Sequence, residues 1–427
     1  MFEKRSLESL VERQQGGGTP ERHNPRFWNG PIPWASVKDF ADNQLILNST
    51  EESITQQGLA ASSTNLIPAG TPLICTRMAV GRCAISNSDV TINQDVKALF
   101  PKANVSPRYL LRLLDSLKFH AESVSVGSTV KGIRISDLLG IQTPIAPQHE
   151  QTKIAQILDT LDTQIQKTEA MIVKLEKIKD GLLHDLLTRG IDQNGQLRPT
   201  PEQAPELYKE SALGLVPKEW HKGTISDYLL QNGGIKPGPF GSSITKNMYR
   251  SSGYKIYGQE QVIRADPTFG NYYIDRNKYS ELIDFSVQPR DILISLVGTV
   301  GKVLIIPESH EQGIINPRLM RLRPNQNICN SEFLSHVLTS VLFTRKLTAL
   351  AGGGTMPVIN KRIVQSVVLP VIPLTEQNEI RSKISSLLGR LVNEKAMLAK
   401  LQAQKIGLMD DLLTGHVRVT TLLKDAV

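Results

Sequence analysis

The sequence predicts an α+β protein: two mixed α/β domains separated by two long antiparallel coiled-coil helices, the whole built as a pseudo-two-fold internal repeat. Three observations carry that prediction. Residues 147–188 reappear at 373–414 without a gap, at an offset of 376 − 150 = 226. Each copy spaces its apolar side chains in alternating steps of four and three, as the seam of a left-handed coiled coil requires. The stretches around the copies carry short apolar runs broken by turn residues, the pattern of small irregular sheets.

The repeat is close. Pro147 meets Pro373, Glu150-Gln151 meets Glu376-Gln377, Lys174-Leu175 meets Lys400-Leu401, and Asp185-Leu186-Leu187-Thr188 meets Asp411-Leu412-Leu413-Thr414. The seam of the first copy reads Ile154, Leu158, Leu161, Ile165, Ile172, Leu175, Leu182 and Leu186, interrupted by Thr168 and Lys179. The second reads Ile380, Ile384, Leu387, Leu391, Leu398, Leu401, Leu408 and Leu412, interrupted at the equivalent places by Glu394 and Lys405. A generic helical hairpin could show such heptads, but it has no reason to repeat them position by position. At 1.5 Å per residue each copy is a rod about 60 Å long. Each rod opens on a proline, whose missing N–H costs nothing there, with an acidic residue three places on that favours the positive end of the helix dipole.

In chain order the expected parts are a first globe (1–146), the first helix (147–188), a linker (189–214), a second globe (215–372), the second helix (373–414) and a tail (415–427). The first globe holds apolar runs at Ile32-Pro33-Trp34-Ala35-Ser36-Val37 and Leu73-Ile74-Cys75-Thr76, and a helix from Ser106 through Leu114. The linker is rich in Pro, Gln and Glu and reads as solvated chain. The second globe repeats the first loosely: Ile74–Gly81 lies over Ile294–Gly301 at 220, and Gly127, Thr129, Ile133 and Pro144 lie over Gly353, Thr355, Ile359 and Pro370 at 226. In the tail, the last residues, VRVTTLLKDAV (417–427), suggest a strand that ties the C-terminal end to the first globe. A shared frame with divergent surfaces suits two readers of different targets.

The chain has 427 residues and a net charge of +8, of which the second globe carries 18 − 11 = +7. Such an excess points to a polyanion, although basic proteins without one are common. Three cysteines, Cys75, Cys83 and Cys329, show no CxxC pairing, which argues against a zinc site or a disulfide scaffold and fits a reducing, cytoplasmic setting. No apolar run approaches a membrane span, and the N-terminal stretch is charged where a signal peptide needs an apolar core.

No catalytic constellation emerges. Gly298-Thr299-Val300-Gly301-Lys302 invites a phosphate-loop reading, but Leu296 stands where the first glycine belongs and Val303 where a magnesium-binding hydroxyl belongs, so a turn between strands is expected. Asn24-Pro25-Arg26-Phe27 and Asn316-Pro317-Arg318-Leu319 lack the second proline of the adenine-methyltransferase motif. The eight histidines show no metal-ligand spacing. What remains is a set of side chains beside glycine-rich turns: Arg77, Arg82, Lys131, Arg134, Lys246, Arg250, Lys302, Arg318, Lys361 and Arg362, with Tyr257 and Gln259 beside them. Cations of this kind serve phosphate contacts and guanine readout, and amide or aromatic neighbours complete base contacts; each one singly could equally be a solvated surface charge.

The two rods, PQHEQTKIAQILDTLD with GLLHDLLT and PLTEQNEIRSKISSLL with GLMDDLLT, together with GGTP, IPWASVKD, GLVPKEW, GPFGS and ILISLVGTVGKV, resemble the specificity subunits of type I restriction-modification systems over essentially the whole chain. The first globe, with CTRMAVGRC, departs most from that pattern. The resemblance implies two target-recognition domains that each read half of a bipartite double-stranded DNA target, and a non-catalytic chain with no cofactor of its own. It further implies paired helices that set the spacer and dock two modification subunits, which use S-adenosylmethionine, while restriction subunits use ATP and Mg. A coiled-coil adaptor without DNA affinity and a self-sufficient DNA methyltransferase are the competing classes. Salt-dependent binding to duplex DNA separates the first, and failure to bind S-adenosylmethionine alone separates the second.

Overall fold

The computed structural model describes residues 1–42, 44–127, 131–211, 214–297, 299–350 and 359–424. The repeat positions Thr129, Gly353 and Thr355 and the turn residue Gly298 lie outside the described residues. The chain divides into two units, Met1–Glu169 with Ala396–Val427, and Ala170–Lys395. Both cuts fall within long helices rather than at the helix ends where the sequence places the boundaries.

In the first unit a five-stranded sheet runs in the order Val11–Gly16, Val96–Pro101, Pro72–Cys75, Cys83–Ser86, Ile46–Leu47. The last pair is parallel and the others antiparallel. A second sheet orders Glu52–Ile54, Trp28–Ala35, Val90–Ile92, Leu66–Ile67. Pro31 and Pro33 cannot donate to a ladder, and the parallel pairing of Trp28–Ala35 with Val90–Ile92 is confined to Trp34 and Ala35. Helix α1 (Pro107–Ser116) starts where the Ser106 hydroxyl accepts from the Tyr109 N–H and Pro107 supplies a helical φ. It buries Tyr109, Leu110, Leu113 and Leu114 in a core shared with Ile154 and Leu158 of helix α2 (Gln148–Thr188).

The second unit rebuilds this plan. Its four-stranded sheet runs Ile235–Pro237, Leu319–Leu322, Ile292–Ser295, Val303–Ile305, and a smaller sheet runs Tyr273–Ile274, Tyr254–Tyr257, Gly313–Ile315. Ile292–Ser295 and Val303–Ile305 are antiparallel neighbours, so the chain between them is a hairpin turn and not a strand-to-helix phosphate loop. Helix α3 (Ser331–Thr339), capped by the Asn330 side chain, buries Phe333, Leu334, Val337 and Leu338 as α1 does in the first unit.

The long helices α2 and α4 (Leu374–Thr414) pack antiparallel within each unit. In the first, Ile154 and Leu158 share a core with Leu412 and Leu413, while Asp162, further along α2, pairs with Lys405 at 2.7 Å. In the second, Glu176 pairs with Lys395 at 2.8 Å, and Leu183, Leu186 and Leu187 share a core with Ile380 and Ile384. Every seam position named from the heptads, with the polar Thr168, Lys179, Glu394 and Lys405, is buried or half-buried, while Val173, Ile178, Val392, Met397 and Ile406 face outward. Among the described residues no helix is long and apolar enough to cross a membrane.

The duplicated Glu-Gln pair explains why each rod begins where it does. Gln151 accepts from the Ser106 N–H at 3.0 Å and donates to the Ala146 carbonyl at 3.0 Å. Gln377 accepts from the Asn330 N–H at 2.9 Å and donates to the carbonyls of Ile372 and Ile328 at 2.8 and 2.9 Å. In both units one amide therefore locks the start of a globe helix to the start of a rod. The nearby hydroxyl is supplied differently: Tyr109 accepts from the Ala146 N–H, whereas Phe333 replaces that tyrosine and Tyr228 accepts from the Ile372 N–H.

Two expectations are corrected. The stretch 189–214 is not a solvated linker: Ile191, Arg198, Ala204 and Tyr208 are buried, and Tyr208–Ser211 pairs with Gly214–Pro217. Burial of Arg198 is compensated by Glu376, a partner that composition cannot show. The tail packs on the first unit through Val419, but it forms a short helix, Thr420–Lys424, instead of a strand.

Candidate nucleic-acid interface

Each unit brings three loops together by the same backbone hydrogen bonds. In the first, the Thr76 N–H donates to the Asp95 carbonyl (2.8 Å), the Ile133 N–H to Thr76 (2.9 Å), and the Asn93 N–H to Ala35 (2.9 Å). In the second, Leu296 donates to Arg318 (3.0 Å), Ile359 to Leu296 (3.4 Å), and Asn316 to Tyr257 (2.8 Å). Asn93 and Asn316 close equivalent turns, accepting from the N–H groups of Asp95 and Arg318 at 3.1 and 2.9 Å. Glycine is obligatory where a fourth loop crosses: a Cβ on Gly17 would lie 1.8 Å from the Ile92 carbonyl oxygen, and one on Gly238 would lie 1.9 Å from that of Asn316. This scaffold is common to both units, but its side chains are not, since Asp95 occupies the place of Arg318. The structural counterpart of Asn316 is thus Asn93 and not Asn24, which caps the short helix Pro25–Phe27.

In the first unit the loop carrying Arg77 meets the segment carrying Lys131. Arg77 bridges Gly132, and the Met78 N–H donates to the Lys131 carbonyl at 2.9 Å. Arg77 is exposed and only loosely paired, 3.7 Å from Asp95, and Lys131 and Arg134 are exposed. Arg82 is a different case. Its Nε and one terminal nitrogen bond Asp42 at 3.0 and 2.8 Å, and the other terminal nitrogen donates to the Phe40 carbonyl at 3.0 Å. Lys118 and Arg82 together hold the Asp42 carboxyl below its usual range. With three of its five N–H groups engaged in this way, Arg82 braces a loop and is held by Asp42 rather than presented freely as Arg77 is.

In the second unit Lys302, Arg318, Lys361 and Arg362 are all exposed around the hairpin turn. Lys361 and Arg362 open the helix Lys361–Ser366, whose cap Asn360 follows the residue bonded to Leu296. Gln259 is half-buried and donates its side-chain amide to the Val297 carbonyl of that turn. Lys246 and Arg250 belong to another loop, where Arg250 pairs with Asp275 at 3.2 Å and Tyr249 lies 5.6 Å from Tyr272, ring centre to ring centre. Tyr257 is corrected: it is fully buried, burial pushes its phenol pKa up, and its hydroxyl donates to the Glu311 carbonyl at 2.7 Å. Lys255, Ile256 and Tyr257 are all buried in this strand, and Tyr257 packs in a core with Val262, Leu293 and Leu319, beyond reach of a ligand.

The sequence reading missed two buried cations of the second unit. Lys255, 1 % exposed, donates to Thr268 (2.9 Å) and to Glu311 (2.6 Å), whose other oxygen accepts from Tyr273 (2.9 Å), and so fixes the chain from 266 to 273. Arg321 is buried under the carbonyls of Asp284, Ser286 and Gly233, and burial together with Arg323 lowers its pKa. It missed Arg22 of the first unit too, whose guanidinium lies 4.3 and 4.8 Å from the rings of Trp28 and Trp34. No local signal marks any of them, because a cation in an alternating strand or a loop reads as solvent-facing.

Residues 1–177 and 239–403 match the family described as the type I restriction modification DNA specificity domain. The chain is 24% identical over 433 residues to the putative type I restriction enzyme MjaX specificity subunit of Methanocaldococcus jannaschii, covering 98% of this chain and 94% of that one. It is 30% identical over 217 residues to the MjaIX specificity subunit of the same organism, a stretch that spans about half of each chain (50% of this one, 48% of that one). Its fold resembles the crystal structure of the type I restriction-modification S subunit from M. genitalium, with a TM-score of 0.58, 16% identity and coverage of 97% and 96%. Two matched segments that together take in well over half of the sequence place the chain in the type I restriction-modification DNA specificity family.

Proposed function

We propose that this chain is the DNA-specificity subunit of a type I restriction-modification complex. Each unit reads one half of a bipartite duplex target, and the helix pair sets the unread spacer. The observation that carries this reading is the contrast between a frame repeated down to Gln151 and Gln377 and side chains on it that are not repeated, with the buried Asp95 in one unit at the place of the exposed Arg318 in the other. One scaffold with two different surfaces is what recognition of two unrelated half-sites demands.

The chain performs no chemistry itself. Two modification subunits, docked on the helices, supply S-adenosylmethionine-dependent methylation of an adenine flipped from each half-site. Restriction subunits add ATP- and Mg-dependent translocation and cleavage, and the complex works in the cytoplasm. Co-expression with the modification subunits followed by mapping of methylated adenines tests this. An interrupted two-part motif is expected, and replacing residues 215–372 by those of a relative should change one half only. A contiguous motif, or a change in both halves, overturns the reading.

A further inference from the structure

Met78 is the one described non-glycine residue of the hairpin loops that takes a left-handed conformation (φ 62°), and its side chain is 65% exposed. Sequence alignment of the two units puts Gly298 at its place, an offset of 220. An apolar side chain is therefore held in a backbone conformation that glycine adopts without strain. Strain kept on an exposed, flexible thioether has no packing return among the described residues, where Met78 stays 65% exposed.

Its surroundings show what it faces. The Met78 N–H is fixed on Lys131 (2.9 Å), and Gly132 bridges both Arg77 and Val126, which is itself 80% exposed. Two exposed apolar side chains thus emerge among the exposed cations Arg77, Lys131 and Arg134. A cation-rimmed apolar tip fits a base edge between phosphates: the cations meet the backbone, and the thioether packs against a thymine methyl group or the face of an opened base step.

We propose that Met78 is a specificity-determining residue of the first unit, delivering an apolar contact to a base of its half-site while Arg77 and Lys131 hold the flanking phosphates. This rests on the reading of that unit as a DNA half-site reader. The test uses the full chain assembled with its modification subunits, with methylation mapping and salt-dependent duplex binding as readouts. Met78→Gly should raise the unfolding midpoint by about 2 °C, as strain is released. It should relax base preference at one position of one half of the motif by on the order of tenfold, with the salt slope unchanged. Lys131→Ala should instead weaken binding to all sequences and reduce the slope by about 1. An unaltered motif in Met78→Gly overturns the proposal while leaving the half-site reading intact, as does loss of assembly with the modification subunits, which would make the tip a protein contact. Absence of any two-part motif from the wild-type complex defeats the half-site reading instead.

Discussion

Glu376 and Arg198 form a buried two-point ion pair, at 2.5 and 3.3 Å, where helix α4 begins. Glu376 accepts from the Ile191 N–H (2.7 Å) and the Trp220 indole (2.9 Å) as well, so one carboxylate gathers the chain that leaves α2. Its repeat partner Glu150 does the same at the start of α2, bonding Arg418 and accepting from the Val419 N–H (3.2 Å), just beyond the end of α4. In each unit, then, the first turn of one rod clasps the residues that follow the other.

Removing the carboxylate from the more enclosed clasp should be costly. Glu376→Ala takes from Arg198, 9% exposed, its buried partner and leaves only the exposed Glu219 at 2.9 Å, and should destabilise the second unit by about 3 kcal/mol. Glu150→Ala should cost clearly less, because Arg418 is 44% exposed and can rehydrate. Denaturant unfolding of the two variants checks the order, and equal losses would contradict it.

The Glu150 clasp should make stability depend on pH. Burial alone would raise that carboxyl, but the Arg418 guanidinium and the Val419 N–H outweigh it and hold the pKa below the ordinary 4.5. A carboxylate depressed on folding adds stability that is present above its unfolded pKa and is lost as pH falls through the folded one. The stability gap between wild type and Glu150→Gln should therefore be constant above about pH 5 and shrink below 4.5. A gap that persists to pH 3 would show that charge is not what the clasp uses.

Tyr257→Phe should separate fold from recognition. It removes a buried hydroxyl bonded to the Glu311 carbonyl and should cost about 1 kcal/mol of stability. Duplex binding and the methylated motif should not change. Altered base preference would return this residue to the reading surface.

Lys361 and Arg362 are exposed cations beside the turn of the second unit, and if they meet DNA they are expected to meet its phosphates. Replacing each by alanine should lower the slope of log affinity against log salt by about 1 and leave the motif unaltered. Arg318→Ala, on the turn where the two units differ, should instead alter the motif in the half read by the second unit. Titration of duplex binding at several salt concentrations, beside methylation mapping, distinguishes the two behaviours.

The sequence by itself determined the duplication, the heptad seam and the matched helix starts, because each is written in local spacing: apolar residues at coiled-coil intervals, and a Glu-Gln pair three residues after a proline. The turn at Leu296–Lys302 was legible for the same reason, since missing side chains excluded a phosphate loop. Tertiary structure alone decided which charges are surface and which are structural. Arg198, Arg82 and Lys255 look alike in sequence to Arg318 or Lys361, yet the first three are consumed by Glu376, Asp42 and Glu311, partners 178, 40 and 56 residues away. A cation is held in place where distant acceptors are folded against it, a carboxylate for Arg198 and Lys255 and backbone carbonyls for Arg321, and no window of sequence contains both halves of such a pair.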